Sequence, residues 1–216
     1  MKAIVVAGGD AAPEDAARLD GADLVIAADS GAAWLDARGL RPDLVVGDMD
    51  SVDPALLERL ATDGIAIERH PAEKDASDAE LAIDRALAAG ADEVVVIGAL
   101  GGGRLDHELA NLLLLADPAR RALGLRIVHG GTTVRALHGG GRLSLSVAEG
   151  GLVTLLPLGA DAVGVRTSGL RYPLDGETLP LGSSRGLSNE VVGAPASVSL
   201  EGGTLLVVET EKEANR

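Results

Sequence analysis

Residues 24–51 read LVIAADSGAAWLDARGLRPDLVVGDMDS. Two aliphatic runs in this stretch, Leu24–Ala28 and Leu44–Val46, are each followed by aspartates, and a short helix candidate, Ala32–Arg38, lies between them. A strand–helix–strand unit of this length predicts two parallel strands joined by a right-handed crossover. Because parallel strands end at the same edge of a sheet, we expect the aspartates of the two loops to lie close together.

The same pattern recurs further along the chain. The run Ala66–Ile67 leads to a loop containing Lys74, and the run Val94–Ile97 leads through glycines to Arg104 and His107. Open α/β sheets bind their ligands at the edge where such loops meet. The carboxylates predicted at this edge are those of Asp29, Asp48, Asp50, Asp75, Asp78 and Asp106. Six carboxylates would repel one another without a cation, so the sequence predicts a divalent metal and a phosphate-rich ligand.

Composition limits the kinds of site and partner. The chain of 216 residues has no cysteine, which excludes disulfides and thiolate metal sites, so a metal would be bound by oxygen, as Mg²⁺, Mn²⁺ and Ca²⁺ are. A formal net charge of −14 with no basic stripe argues against nucleic acid and anionic membranes as partners. The N-terminus lacks signal-peptide features, and no apolar run approaches the length of a membrane span, so we expect a cytoplasmic protein.

The chain changes character after about Leu123. Before that point strands alternate with helix candidates; Asp53-Pro54 and Ser77, for example, are good helix starts. After it, short apolar runs are separated by Gly, Asp or Pro. These runs are 126–129, 133–137, 143–147, 152–156, 163–167, 196–200 and 204–209. We therefore predict an α/β fold in which a mostly parallel α/β sheet domain, residues 1–124, precedes an all-β sandwich domain, residues 125–216.

Three loops of the first domain have a structural as well as a functional interpretation. Asp48 and Asp50, two residues apart in an extended chain, would face the same way and share a cation, although Gly, Asp and Ser also form ordinary turns. Ser77 can be a helix cap, which leaves Lys74 at the helix entrance to meet a phosphate. The segment Gly101–His107 can approach a phosphate closely or can be a glycine-rich loop with a capping aspartate.

Several enzyme classes lack their sequence signatures in this chain. Neither a Walker A sequence nor G-x-G-x-x-G occurs, so P-loop and dinucleotide-binding interpretations fail. A nucleophile elbow is also absent, which leaves hydrolysis through a covalent intermediate without support.

The chain resembles the thiamine pyrophosphokinase family over nearly its whole length. Each segment is weak evidence alone, but six in the family's order are specific. Met49 stands where the family commonly has an aromatic residue, which is a packing change. The six segments are Asp29-Ser30-Gly31; Gly47–Ser51; Lys74, Asp75, Ser77, Asp78 and Glu80; Gly102, Gly103, Arg104, Asp106, His107 and Asn111; Thr167–Leu174; and Gly186–Glu190.

The resemblance implies transfer of the pyrophosphoryl group of ATP to the hydroxyl of thiamine, giving thiamine diphosphate and AMP. It implies catalytic roles for Asp50, Asp75, Arg104, Asp106 and His107. It places Mg²⁺, or Mn²⁺, on Asp48, Asp50 and Asp75, with Asp29 and Asp78 near the cation as direct or indirect partners. It places ATP near Asp29, Ser30, Lys74, Ser77, Asp78, Gly102, Gly103 and Asn111. It places thiamine near Tyr172, Ser188 and Asn189, and it implies a homodimer with the active site at the subunit boundary.

Two alternatives stay open at this point. A pyrophosphokinase for another hydroxymethyl heterocycle, such as a pterin, would keep the loops of the first domain and differ at Tyr172, Ser188 and Asn189. A non-catalytic module that binds nucleotide or metal would not need basic residues such as Lys74 and Arg104 among its carboxylates. The side chain of Tyr172 can stack on a cationic ring, or it can be a half-buried strand tyrosine. Either Asp75 or Asp50 could be the base for the thiamine hydroxyl.

Overall fold

The structure, a computed structural model, describes residues 1–212. The chain divides into two compact units. The first unit contains Met1–Leu114 and Ala122–Gly130, and the second contains Leu115–Arg121 and the chain from Gly131 onward. Within residues 1–212, no helix is both long enough and apolar enough to cross a membrane.

The first unit is built on parallel strands. They are β1 (Lys2–Val6), β2 (Leu24–Ala28), β3 (Leu44–Gly47), β4 (Ala66–Arg69), β5 (Glu93–Ile97) and β6 (Gly124–His129). Their spatial order is β6-β5-β1-β2-β3-β4, and every neighbouring pair is parallel. The chain therefore moves away from β1 in one direction through β4 and then returns to place β5 on the other side of β1. The loops after β1 and β5 lie side by side at this reversal, which is where open α/β sheets form a ligand crevice.

The helices of the first unit begin at the residues that the sequence signals indicate. They are α1 (Gly31–Asp36), α2 (Pro54–Thr62), α3 (Asp78–Ala88) and α4 (Leu105–Leu114), and the segment Pro13–Leu19 forms a 3-10 helix. The carboxylate of Asp53 accepts a hydrogen bond from the amide of Ala55 at 2.9 Å, and the hydroxyl of Ser77 accepts one from the amide of Glu80 at 3.2 Å. Local capping chemistry therefore sets where α2 and α3 start.

Aliphatic side chains fill the core of the first unit. Ile4, Val45 and Ile97 from the strands pack with Leu35 of α1 and Leu57 of α2, and all five are at most 6% exposed. Leu, Ile, Val and Ala thus supply most of the packing of a core that also contains Met49, in a chain without phenylalanine. The apolar faces of α1 and α2 cover one face of the sheet.

The strand at Arg126–His129 differs from its expected place in the fold. We assigned this run to the β-sandwich, but it forms part of β6 and pairs in parallel with β5, with Leu125 opposite Val94. Its sequence resembles that of a short sandwich strand. Its parallel register with β5, and not its residue pattern, identifies it as a strand of the first unit.

The second unit consists of antiparallel strands. They are β7 (Thr132–His138), β8 (Arg142–Ser144), β9 (Leu152–Pro157), β10 (Ala162–Ser168), β11 (Asp175–Leu179), β12 (Asn189–Glu190), β13 (Ser197–Ser199) and β14 (Thr204–Thr210). They form two layers, β12-β9-β14-β7 and β11-β10-β13-β8. Leu155 and Leu205 of the first layer share a core with Val165 and Val198 of the second. The predicted fold class, an α/β domain followed by a β-sandwich, is confirmed. The strands β11 and β12 were not expected, because their segments lack an apolar alternation.

Candidate functional site

A cavity of about 620 Å³ lies at the carboxyl ends of the parallel strands of the first unit. Its walls are the loops after β1, β2, β3, β4 and β5, together with residues of α3 and α4. The expected site residues that line it are Asp29, Ser30, Lys74, Asp75, Ser77, Asp78, Gly102, Arg104, His107 and Asn111. Its volume lies within the usual range for cavities that bind small molecules and cofactors. Of the six carboxylates predicted at this edge, those of Asp29, Asp75 and Asp78 line the cavity, whereas Asp48, Asp50 and Asp106 are not part of its wall.

Three carboxylates meet beside this cavity. One oxygen from each of Asp29, Asp48 and Asp50 lies within 4.8 Å of the other two. The extended geometry that we expected between Asp48 and Asp50 is wrong, because Met49 between them has a φ of +66°. The backbone instead turns, and the amide of Asp50 donates a hydrogen bond to Oδ1 of Asp48 at 3.2 Å. The left-handed conformation of Met49 thus brings the carboxylates of Asp48 and Asp50 together, which we expected an extended backbone to do.

Asp29 is the buried member of this group. It is 9% exposed, and its Oδ1 has no hydrogen-bond partner within the described chain. Burial raises the pKa of Asp29, and the negative charge of Asp78 raises it further, against the opposing effect of the Ser30 amide. Asp29 itself has a φ of +46°. A buried, unpartnered carboxylate oxygen next to two other carboxylates is a suitable ligand position for a hard cation.

Lys74 provides a cation next to this group. Its Nζ lies 2.9 Å from Oδ2 of Asp48 and 3.1 Å from Oδ1 of Asp78. Burial acts to lower the pKa of Lys74, but the hydrogen bonds to Asp48 and Asp78 outweigh it, so the pKa is raised. The same contact, through the hydrogen bond from Lys74, lowers the pKa of Asp48. Lys74 is therefore charged and held at the edge of the carboxylate group.

The loop before α3 places its other polar residues along the cavity wall. Asp75 is exposed and lines the cavity, but it is not one of the three carboxylates that meet. Ser77 lines the cavity as well, while its hydroxyl caps α3. The capping role considered for Ser77 is thus confirmed, and the same helix start faces the cavity.

The loop after β5 contributes glycines and a guanidinium. Gly101, Gly102 and Gly103 have φ values of +78°, +84° and +77°, a backbone that only glycine adopts readily. Arg104 lines the cavity and makes a two-pronged ion pair with Asp106, at 2.9 Å from Nε and 2.7 Å from Nη2.

The remaining expected site residues of this loop and of α4 do not all face the cavity. Because the guanidinium of Arg104 donates to it, the pKa of Asp106 lies far below its usual range. Asp106 and Gly103 are not part of the cavity wall, whereas His107 and Asn111 are. The side chain of Asn111 donates to the carbonyl of Ala99 at 2.8 Å, which joins α4 to the start of the loop.

Sequence reasoning did not assign a role to several residues of the cavity. Gly8 and Gly9 after β1 line it, and a Cβ on Gly9 would lie 2.6 Å from the carbonyl oxygen of Gly98. The glycine pair directly after an apolar strand was the available signal. Ser51 also lines the cavity and donates to Oδ1 of Asp50 at 2.8 Å.

The residues expected to bind thiamine lie in the second unit. Tyr172 and Asn189 line a smaller cavity of about 190 Å³ with apolar residues such as Leu187. The amide of Tyr172 donates to Oδ1 of Asn189 at 3.0 Å, and Nδ2 of Asn189 donates to the carbonyl of Tyr172 at 2.7 Å. Ser188, with a φ of +55°, does not line this cavity. Tyr172 is 67% exposed and lies outside the strands, so the half-buried strand tyrosine is wrong.

Comparison with known proteins agrees with this geometry. Residues 16–128, just over half of the chain, match the family described as thiamin pyrophosphokinase, catalytic domain, and residues 142–205 match the thiamin pyrophosphokinase, vitamin B1 binding domain. A thiamine pyrophosphokinase of Bacillus subtilis (strain 168) is 28% identical over 213 residues, which cover 97% of this chain and 99% of that protein.

Solved structures of such proteins share the whole fold. The thiamine pyrophosphokinase from Bacillus subtilis matches with a TM-score of 0.88 at 26% identity, over 98% of this chain and 100% of its own. The thiamin pyrophosphokinase from Geobacillus thermodenitrificans matches with a TM-score of 0.85 at 26% identity, over 99% of both chains. With both of its units matched in order by sequence, the chain belongs to the thiamin pyrophosphokinase family.

Proposed function

We propose that this chain transfers the pyrophosphoryl group of ATP to the hydroxyl of thiamine, giving thiamine diphosphate and AMP. The observation that supports this most directly is the cavity of the first unit, where Asp29, Lys74 and Arg104 face the same space. In such a transfer, negative charge spreads over phosphoryl oxygens while the attacking and leaving oxygens stay in line. Catalysis then consists mainly of positioning and charge neutralisation, which this set of side chains can supply.

A divalent cation fits the carboxylate group. The donors of Asp29, Asp48 and Asp50 are all oxygens, and the unpartnered Oδ1 of Asp29 leaves a buried position for a ligand bond. Oxygen donors suit Mg²⁺, and also Mn²⁺. When bound, the cation would offset the negative charge of the phosphate oxygens. Asp75, which we also expected to be a ligand, lies on the cavity wall and is not one of these three carboxylates.

The cavity offers several contacts for the nucleotide. Lys74 and Arg104 are its cations, and Gly102 lets the backbone approach a phosphate closely. Removing Arg104 from its pairing with Asp106 would free its forked donors for phosphate oxygens. The remaining nucleotide contacts that we propose are those of Ser30, Ser77, Asp78, Gly103, His107 and Asn111.

The reaction needs a base for the thiamine hydroxyl. We assign this role to Asp75, because it lines the cavity and is not one of the three carboxylates that meet. The hydroxyl oxygen would form a bond to the β-phosphorus, the bond from that phosphorus to the oxygen bridging to the α-phosphate would break, and AMP would leave. The hydroxyl proton would move to the carboxylate of Asp75. Asp50 then serves the cation.

We propose that residues of the second unit recognise thiamine. Tyr172 exposes 67% of its surface and can present the face of its ring to a cationic heterocycle. The apolar cavity beside it includes Leu187, and Asn189 contributes a polar group to the same wall. Ser188 stands next to this cavity in the sequence and is the further substrate contact that we propose.

We also propose a homodimer. Leu105, Leu109 and Leu113 recur every four residues along α4 and are 66%, 53% and 55% exposed, and the helix has no buried residue. Two copies of α4 packed antiparallel about a two-fold axis would place Leu109 against its own copy, with Leu105 and Leu113 alternating beside it. Sedimentation of Leu109→Glu should show a monomer. If that variant still sediments as a dimer, α4 is not the dimer contact.

The decisive assay measures AMP released from ATP and Mg²⁺ with thiamine, with a hydroxymethyl pterin and with no acceptor. We expect release with thiamine only. Release without an acceptor, release with the pterin alone, or no release with any acceptor would refute the assignment. The variant Asp75→Asn should lose turnover and keep its stability because Asp75 is exposed, whereas Asp20→Asn, which changes another exposed aspartate, should keep both.

A further inference from the structure

The loop after β5 contains three successive glycines. Gly101, Gly102 and Gly103 have more conformational freedom than other residues, so ordering them on ligand binding has a high entropic cost. The loop nevertheless carries Arg104 at its end and contributes Gly102 to the cavity wall. A loop of this kind needs contacts that hold it in the binding conformation before the ligand arrives.

The neighbouring loop, which follows β1, is by contrast firmly held. The amide of Gly9 donates to the carbonyl of Gly98 at 2.8 Å, and Nε1 of Trp34 donates to the carbonyl of Ala11 at 3.3 Å. A fully buried carboxylate, that of Asp15, accepts from the amide of Ala12 at 3.0 Å and from the amide of Gly130, also at 3.0 Å. This loop is therefore tied to α1, to the residue after β6 and to the first residue after β5.

A side chain also joins the two loops. Oδ2 of Asp10 accepts a hydrogen bond from the amide of Gly102 at 3.2 Å. The two loops also touch closely, since a Cβ on Gly101 would lie 3.0 Å from Cβ of Asp10, and one on Gly102 would lie 3.2 Å from Cα of Gly9. The two loops follow adjacent strands, β1 and β5, at the reversal of the strand order.

We propose that Asp10 is a positioning residue for the nucleotide: its carboxylate holds the glycine loop, through the amide of Gly102, in the conformation that binds the phosphates. This inference rests on the proposed function for its effect on ATP, but the contact itself belongs to the ligand-free chain. Asp10 is exposed, so replacing it should leave the fold intact. It touches no reacting atom and acts through the loop alone.

The charge and the hydrogen bond of Asp10 have opposite expected effects. A carboxylate near a triphosphate repels it, so loss of the charge alone should lower the KM for ATP. Loss of the hydrogen bond should raise it, because the loop must then be ordered at the expense of binding. Asp10→Asn removes the charge and keeps an oxygen acceptor, whereas Asp10→Ala removes both, so the two variants separate the two effects.

The experiment combines steady-state kinetics with amide exchange of the nucleotide-free and metal-free protein. For Asp10→Ala we expect the KM for ATP to rise about twofold to tenfold, the usual effect of one lost hydrogen bond, with the KM for thiamine and kcat little changed. The amide of Gly102 should exchange faster with solvent in Asp10→Ala. Asp10→Asn should resemble the unchanged protein in exchange and should not raise the KM for ATP. Asp20→Ala removes one negative charge from an exposed position beyond the 3-10 helix and is the matched control.

The outcomes are separable. Equal behaviour of Asp10→Ala and Asp10→Asn, in either direction, would overturn the positioning role, as would an unchanged exchange rate at Gly102. Absence of thiamine-dependent AMP release by the unchanged protein would instead refute the proposed function, and the exchange measurement would still decide whether Asp10 holds the loop.

Discussion

Replacing Lys74 with methionine tests the carboxylate site most directly. The ammonium group of Lys74 lies 2.9 Å from Asp48 and 3.1 Å from Asp78, and the three side chains are only 14%, 16% and 25% exposed. Methionine keeps the aliphatic length and removes the charge. In metal-free buffer the variant leaves Asp48 and Asp78 beside Asp29 with no cation, so the first unit should lose stability.

The size of the loss follows from the burial of the pair. Exposed ion pairs contribute about 0.2–1 kcal/mol, whereas removing one partner of a fully buried pair costs about 3–5 kcal/mol. Lys74 has two partly buried partners, so we expect a loss of about 2 kcal/mol in the free energy of unfolding. With saturating Mg²⁺ the bound cation takes over the neutralising role, and because the site then has one more uncompensated negative charge, Mg²⁺ should stabilise the variant more than the unchanged protein.

Urea unfolding can be followed in the first unit alone. Trp34 is the one tryptophan of the chain and lies in α1, so its fluorescence reports the unfolding of this unit. The measurement compares Lys74→Met with the unchanged protein in EDTA and in Mg²⁺. Lys212→Met, the same substitution at an exposed site of the second unit, is the control and should show neither effect. Equal losses in EDTA and in Mg²⁺, or no loss in EDTA, would refute the idea that Lys74 and the metal serve the same carboxylates.

Three further changes have defined outcomes. Asp29→Asn should stabilise the metal-free protein by about 1 kcal/mol at pH 7, because burial raises the pKa of Asp29 and disfavours its ionised form in the folded protein. In urea unfolding at decreasing pH, this gain in stability should vanish as the pH falls through the raised pKa. A variant that is less stable than the unchanged protein at pH 7 would contradict the argument. Gly31→Ala should lower the free energy of unfolding, measured by calorimetry, by at least about 2 kcal/mol, because the added methyl group would lie 2.0 Å from the carbonyl oxygen of Val6. A variant as stable as the unchanged protein would show that α1 can move away from this contact. Asn111→Ala removes the bond to Ala99 and should raise the KM for ATP about threefold in the AMP assay, with the KM for thiamine as the internal reference.

Local chemistry made several elements predictable from the sequence. Asp53 and Ser77 start helices because their side chains accept amide hydrogen bonds a few residues away, which needs no tertiary contact. The aliphatic runs became strands for a similar reason, since an uninterrupted apolar segment of four or five residues is suited to a sheet covered on both faces. The order of strands and helices then indicated that Asp29 and Asp48 would share one edge.

Other features depended on contacts between distant segments. The strand run near Ile127 pairs in parallel with β5, and this pairing joins segments that its own residue pattern does not specify. Asp48 and Asp50 come together because Met49 has a left-handed backbone conformation, which the residue type at that position does not predict.

The sequence by itself determined the family, the two kinds of unit and the set of polar residues at the edge of the sheet. These follow from short segments whose motifs and secondary-structure preferences do not depend on tertiary contacts. Only the tertiary structure decided that Asp29, and not Asp75, forms the group with Asp48 and Asp50, and that Asp10 meets Gly102, 92 residues further along the chain. The physical reason is strand order. Neighbours in a parallel sheet are chosen by the packing of the whole domain, and which loops touch is known only once β1 lies beside β5.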